Sequence, residues 1–581
     1  MAPKDAANDD PNVVTDDDAP GPPISVPDTG DTGEGGKLKM IVQLVKKSLG
    51  VKDIATMRLS LPASLLEPIP NLEYWHYLDR PDMFAALSVA LPRPCVSLLT
   101  LVFSINDSDD PFERMLAVLR FTFTKDIKFI HGKVCKPYNS VLGEHFRAHW
   151  DVVPLAYPEE PTQPPMPLIF TTPNSDSPQP AQSLMSETAS VRSAKSSKSG
   201  LSLVSKPGKS PSTAATSPQQ IPGQNIDAQM SNLNLGDETA SSDDLGTQER
   251  LRVVYVTEQV SHHPPVSAYY AACPAKHVEM MGIDQISAKV SGTTLRVAPG
   301  NFNKGIYINL TGGHGEGEKY HITHPVASVN GILRGSFYVT VGDTTIITCS
   351  TGKPGRRFRT IIEYKEESWL GRAHFLLEGV IHTYHEGDTE HEEWTKVKHV
   401  PQSHVVAVFD GSWRSRIRWR RVGSGSYPIV TSSAASSPTP HHTPLPTPSV
   451  RSAAASKVDV RGDEEYATLI DLSQLQVVPK SVRPLKKQLP HESRKLWETV
   501  TSHLLNKEFS DATREKVAIE QKQRDDAAER KRKGVEFTPL YFEKDVDAGY
   551  SHLTAEGRKA VEEELNEPSD YCIEGGVGGA P

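Results

Sequence analysis

Between residues 250 and 421, apolar and polar positions alternate in short runs broken by Gly, Asp and Pro, the pattern of half-buried β-strands. Gly335 to Cys349 predicts a hairpin: Phe337, Val339 and Val341 share one face, Gly342-Asp343 suits a two-residue turn, and Thr345-Ile346-Ile347-Thr348 returns. Residues 286–297 repeat the arrangement around Ser291-Gly292, and strand-like runs follow at 358–364, 375–384 and 405–413. This spacing predicts an antiparallel meander, closed into a barrel or packed as a sandwich; periodicity alone does not choose. Toward both ends the period changes to that of a helix. In residues 37–49, Leu38, Ile41, Val42, Val45 and Leu49 form one apolar stripe flanked by lysines. Residues 492–505 and 511–533 also read as helices, the second strongly charged.

Composition divides the chain further. Residues 1–36 hold eight Asp and one Glu against one Lys, so this tail supplies nearly all of the net charge of −9. The near-neutral remainder argues against a nucleic-acid binder that works through bulk positive charge. The acidic tail, the Ser/Pro-rich stretch 157–249, the Ser/Ala/Pro/Thr-rich stretch 422–463 and the tail 567–581 cannot bury enough apolar surface to offset chain entropy, and are expected to be disordered. Ser/Thr-Pro pairs in the two insertions, such as Ser437 and Thr443, are candidate phosphorylation sites. Residues 37–156, 250–421 and 464–566 are left to fold. The five cysteines (Cys95, Cys135, Cys273, Cys349 and Cys572) are odd in number and widely spaced, as expected of reduced thiols rather than a disulfide framework. No signal-peptide core, membrane span or lipidation motif is apparent, so a cytosolic protein is expected.

The strongest chemical signal is Thr257-Glu258-Gln259-Val260-Ser261-His262-His263-Pro264-Pro265-Val266. Two prolines fix two adjacent histidines at a corner after an apolar strand, where the imidazoles face something other than the backbone ladder. Zinc would require three or four suitably spaced ligands, and no CxxC, finger or HExxH pattern accompanies the pair, so no metal is expected. Ser261 beside His262 lacks a Gly-x-Ser-x-Gly elbow and an identifiable acidic third member, so no enzyme is expected either. Farther on, Lys516, Glu520 and Arg524 are spaced i, i+4, i+8, which places them on one helix face over about 12 Å. Taken alone, that spacing is better read as a solvated face with ion pairs.

The run Glu258 to Pro265 is identical to the fingerprint of the oxysterol-binding protein family of lipid transfer proteins, which this sequence resembles. Lys136-Pro137-Tyr138-Asn139-Ser140-Val141-Leu142-Gly143-Glu144 is similar to a second family motif, with Ser140 where Pro is usual. The Lys516/Glu520/Arg524 spacing is similar to the family's tail motif, and residues 59–68 resemble the segment joining its N-terminal lid to its barrel. No pleckstrin-homology domain or ankyrin repeat is seen, so a short form is expected.

The resemblance implies a mainly β fold with flanking α: a many-stranded antiparallel β-barrel around an apolar lipid tunnel, with an N-terminal helical lid and C-terminal helices. Residues 37–156 would then hold the lid and the first part of the lipid-binding domain, 250–421 its barrel core and 464–566 its C-terminal helical part. Lys136, Asn139, His262, His263, Lys516, Glu520 and Arg524 would hold the headgroup of phosphatidylinositol 4-phosphate, and Leu59 and Leu61 would contact the lid or lipid. The chemistry is coherent, since a phosphomonoester needs cationic donors and an imidazolium beside a phosphate keeps its proton. Implied partners are this lipid, a sterol or phosphatidylserine as counter-lipid, and a transient membrane surface at intracellular contact sites; the insertions are candidates for binding regulatory proteins. No cofactor other than the bound lipid is expected. The alternative is a lipid-gated regulator that binds the same lipids without net transport.

Overall fold

The computed structural model describes residues 24–25, 34–48, 59–61, 63–86, 109–131, 136–156, 158, 163–171, 250–292, 294–331, 337–365, 373–422 and 466–568. The expectations for most of the acidic tail and the insertions, and for the end of the C-terminal tail, fall outside these residues. All described residues belong to one unit, Met1–Thr172 with Ala240–Pro581.

A two-residue parallel pair comes first, β1 (Ile24–Ser25) with β2 (Leu59–Ser60). Then follow β3 (His145–Val152), β4 (Leu251–His262), β5 (Pro265–Cys273), β6 (Val278–Asp284), β7 (Ile286–Ser291), β8 (Thr294–Pro299), β9 (Ile306–Leu310) and β10 (Lys319–Ile322). The chain continues through β11 (Val326–Asn330), β12 (Tyr338–Gly342), β13 (Thr344–Ser350), β14 (Gly355–Tyr364), β15 (Leu376–Glu386), β16 (Val405–Ser412), β17 (Arg416–Arg421) and β18 (Ala467–Asp471). Twelve of these strands form one sheet in the order β18-β17-β16-β15-β14-β13-β10-β9-β6-β5-β4-β3, with every neighbouring pair antiparallel. The meander is interrupted twice, and the two excursions pair with each other as a four-stranded sheet, β12-β11-β8-β7.

The predicted turn at Ser291-Gly292 starts one residue late in the structure: Ser291 still pairs with Thr294 in the ladder, and Gly292 begins the turn between β7 and β8. The predicted hairpin at Gly335–Cys349 needs a larger correction. Both strands form and Asp343 takes a left-handed φ of 62°, but β12 pairs with β11 in the small sheet while β13 pairs with β10 and β14 in the large one. Gly342-Asp343 is the point where the chain changes sheets.

One face of the large sheet carries the main core. Along β14, Phe358 and Ile362 belong to it, whereas Ile361 points the other way, against Val380, Trp394, Val400 and Val405. On that second face Val256, Ala268 and Ile283 meet Tyr541, Phe542 and Ala560 of the C-terminal segment. The helix Pro111–Thr124 packs into the main core through Phe112, Met115, Leu116, Leu119, Phe121 and Phe123. It begins where the Asp110 carboxylate accepts from the Phe112 N–H (2.8 Å) and Pro111 takes the first helical position, a start signal the periodicity reading passed over. Full burial of each such side chain contributes roughly 1.5–3 kcal/mol.

The two sheet edges are joined by the chain that leaves β18. His149 of β3 exchanges backbone hydrogen bonds with Ser481 (3.1 and 2.8 Å), and the Trp150 indole donates to the Val478 carbonyl (3.2 Å). This strap covers the β3 edge and gives the sheet a barrel-like closure. It also corrects one boundary. Residues 163–171 fall within a stretch that composition assigns to disorder, yet Phe170 packs against the core and its carbonyl accepts from Arg80, which is fully buried (3.0 Å). Arg80 also donates to the Gln476 carbonyl of the strap (3.0 Å).

Because neighbours are antiparallel, the end of the sheet where β4 finishes is also where β6, β10, β14 and β16 finish. The four-stranded sheet is connected at that end. The β3–β4 and β17–β18 connections, which carry the long insertions, leave from the opposite end: Val152 pairs with Leu251, and Trp419 with Ala467.

Candidate functional site

His262 closes β4, and the next strand begins at Pro265 across a cis His263–Pro264 peptide. The two imidazoles lie edge to face with ring centroids 4.5 Å apart, and both are half-buried. Among the described residues, the one group of three potential metal ligands, His503, Glu508 and Asp511, does not include either of them.

The segment from Lys136 to Glu144 ties the histidine strand to the C-terminal helices. At one end it meets the segment after β2: the Glu67 N–H donates to the Lys136 carbonyl (3.0 Å) and the Tyr138 N–H to the Ile69 carbonyl (3.2 Å). At the other end it joins β4, with Gly143 N–H to Gln259 O at 2.9 Å and Gln259 N–H to Glu144 O at 2.8 Å. In between, the Tyr138 ring packs on Trp497 (centroids 5.0 Å) and its hydroxyl bonds Thr501 (2.9 Å). Ala63, Leu66, Tyr138, Val141, Trp497, Val500, Leu504 and Ala512 form one buried cluster, with Leu61 packed against it. Leu59 lies in the short β2 strand. The Lys136 ammonium donates to Asn139 Oδ1 (2.7 Å) and the Pro137 carbonyl (2.9 Å), and Asn139 is exposed.

The helix Phe509–Lys533 presents Lys516, Glu520 and Arg524 as their spacing predicts. Lys516 is buried and its Nζ donates to Glu520 Oε1 (2.7 Å), while half-buried Arg524 donates to Gln521 Oε1 (3.1 Å). One turn before Lys516, the Thr513 hydroxyl accepts from the Ala63 N–H (3.2 Å). The structure thus interlocks the four motif segments. The N-terminal helix, expected to be the lid, spans Glu34–Lys47; Ile41 and Val42 of its predicted stripe are half-buried, and Met40, outside that stripe, is buried.

Sequence reasoning missed two supports. Glu258, first residue of the fingerprint, points to the sheet's second face and accepts the N–H groups of Leu540 and Tyr541, each at 2.7 Å. Glu144, last residue of the second motif, accepts the Ser493 hydroxyl (2.7 Å), the Trp497 indole (3.0 Å) and the Val141 N–H (3.0 Å). Burial pushes each carboxyl up to about 7, opposed by these donors. The only available signal was that both acids sit at the edge of a motif, where a clamp and a ligand look the same.

The family model for oxysterol-binding proteins matches residues 241–564. The sequence is 36% identical over 553 residues to Oxysterol-binding protein-like protein 1 of Schizosaccharomyces pombe, covering 93% of each chain. It is 25% identical over 318 residues to Oxysterol-binding protein homolog 7 of Saccharomyces cerevisiae, covering 54% of this chain and 59% of the relative. A crystal structure of the Osh1 ORD domain in complex with cholesterol aligns over 91% of this chain and 90% of its own, with 16% identity and a TM-score of 0.49. The chain belongs to the oxysterol-binding protein family, and its folded part is a lipid-binding domain of that family. No helix among the described residues is long and apolar enough to cross a membrane.

Proposed function

We propose that the protein binds phosphatidylinositol 4-phosphate and exchanges it for a second lipid, a sterol or phosphatidylserine, between intracellular membranes that it visits from the cytosol. Lys136, Asn139, His262, His263, Lys516, Glu520 and Arg524 hold the inositol phosphate, with Glu520 orienting Lys516 and accepting from ring hydroxyls. The observation that carries this reading is the hydrogen-bonded link from the Lys136 segment to the histidine strand on one side and, through residues 63–69, to the Lys516 helix on the other. Leu61 packs against the buried cluster that includes Tyr138, and Leu59 lies in the short β2 strand. The insertions are the proposed place for recruiting regulatory proteins.

The test is extraction and transfer of labelled phosphatidylinositol 4-phosphate between liposomes. Replacing His262 and His263 together by Ala is expected to abolish extraction while the thermal unfolding transition persists. Lys516→Ala should weaken phosphoinositide binding by roughly 1.5–3 kcal/mol per charged hydrogen bond lost, and leave uptake of a neutral sterol, if that is the counter-lipid, nearly unchanged. Equal loss of both cargoes would make Lys516 structural. Binding without catalytic transfer would favour the lipid-gated regulator.

A further inference from the structure

The helix Phe509–Lys533 ends in Arg530-Lys531-Arg532-Lys533, followed by Gly534 at φ 63°, which turns the chain. A favourable interaction with the helix dipole explains cations in a last turn. It does not explain what comes next. Val535 is 57% exposed, the most of the large apolar side chains in the described fold, and Leu540 is 41% exposed. Cations and aliphatic side chains belong to one stretch, because the Val535 N–H donates to the Arg530 carbonyl (3.0 Å) and the Arg530 guanidinium lies 5.8 Å from the centroid of Phe537. Over residues 529–536 four cations face two carboxylates, Glu529 and Glu536, and Glu536 is paired with Lys544.

This stretch is attached to both headgroup motifs. The Phe537 ring lies against Gly143 so closely that a Cβ there would be 3.2 Å from it, and the Leu540 N–H is held by Glu258. A surface that is basic, locally apolar and fixed beside the site matches an anionic bilayer, where lysines and arginines gain from surface potential and aliphatic side chains from burial at the headgroup boundary. We infer that residues 530–540 form a docking surface for anionic membranes, with Lys531 and Arg532 supplying charge and Val535 and Leu540 inserting. Its purpose rests on the lipid-exchange reading: it presents the site to the bilayer that contains the cargo.

The experiment is co-sedimentation of the full chain with phosphatidylcholine vesicles, with and without phosphatidylserine. The protein should prefer the anionic vesicles, and salt should weaken that preference. Lys531→Glu with Arg532→Glu should lower partitioning onto anionic vesicles by about tenfold or more. Val535→Asp should lower it on both kinds of vesicle. Binding of a soluble short-chain phosphatidylinositol 4-phosphate and the thermal midpoint should be unchanged in these variants, which separates docking from folding and from headgroup binding. The inference is overturned if the double variant keeps the anionic preference, or if the unaltered protein shows none. Should the unaltered protein fail to bind the short-chain lipid while its vesicle preference still depends on Lys531 and Arg532, the proposed function falls and the docking surface stands.

Discussion

A carboxyl group buried among hydrogen-bond donors answers to two opposing demands: removal from water favours its neutral form, the donors its charge. For Glu144 and Glu258 burial dominates, and both stand near 7 against an ordinary value of 4.5. The sign for stability follows. A group whose folded value is raised binds more protons folded than unfolded, so its contribution is complete below about 4.5 and is lost as pH climbs through about 7. Glu144→Gln keeps the shape but removes the titration. The stability difference between the unaltered protein and this variant should therefore move in the variant's favour from pH 5 to pH 8, by no more than about 3 kcal/mol. Urea unfolding across that range measures it, and a pH-independent difference would show that the donors, not burial, set the balance. At this scale the sequence made the motif segments legible, and the structure links them by hydrogen bonds. The sequence was illegible where a letter's work is internal: nothing in the one-dimensional pattern says that Glu258 faces Leu540, 282 positions away.

Strands announce themselves by alternation, but alternation is silent about partners. Tyr338–Gly342 and Thr344–Ser350 were readable as strands, and Gly342-Asp343 as a turn, yet the turn separates two sheets instead of closing a ladder. The competing force was packing, since β13 offers Ile347 and Cys349 to the main core and finds edges to either side. A different element-scale constraint sits on β15. Gly379 pairs with Phe409 of β16, whose ring lies over it: a Cβ would fall 2.0 Å from the ring and 2.6 Å from the Ile361 carbonyl oxygen. Gly379→Ala is expected to cost about 1–3 kcal/mol, read as a lower thermal midpoint, and adding Phe409→Leu should recover part of it. Simple additivity of the two substitutions would mean that the ring is not what occupies the space.

For the whole molecule, the described fold is one long meander with two side excursions, and each long insertion sits between strands that are already neighbours. Val152 meets Leu251 across the first, Trp419 meets Ala467 across the second. Enlarging a connection between paired strands adds only loop-closure entropy, about 0.6 kcal/mol per doubling of length. Replacing residues 173–239 by a short linker should leave the thermal midpoint within a few degrees and phosphoinositide extraction intact; loss of extraction would place part of the site in the insertion. Composition marks stretches poor in apolar residues, and most of these fall outside the described residues. It does not show that residues 163–171 join the fold, since Arg80 holds Phe170 and Ile169 through their carbonyls, which composition does not see. The antiparallel order then gives the molecule two poles. The chain leaves for both insertions at the pole away from the histidine pair, so a fluorophore, a tether or a captured protein carried there has a handle on the molecule that does not begin at the end proposed to take the lipid.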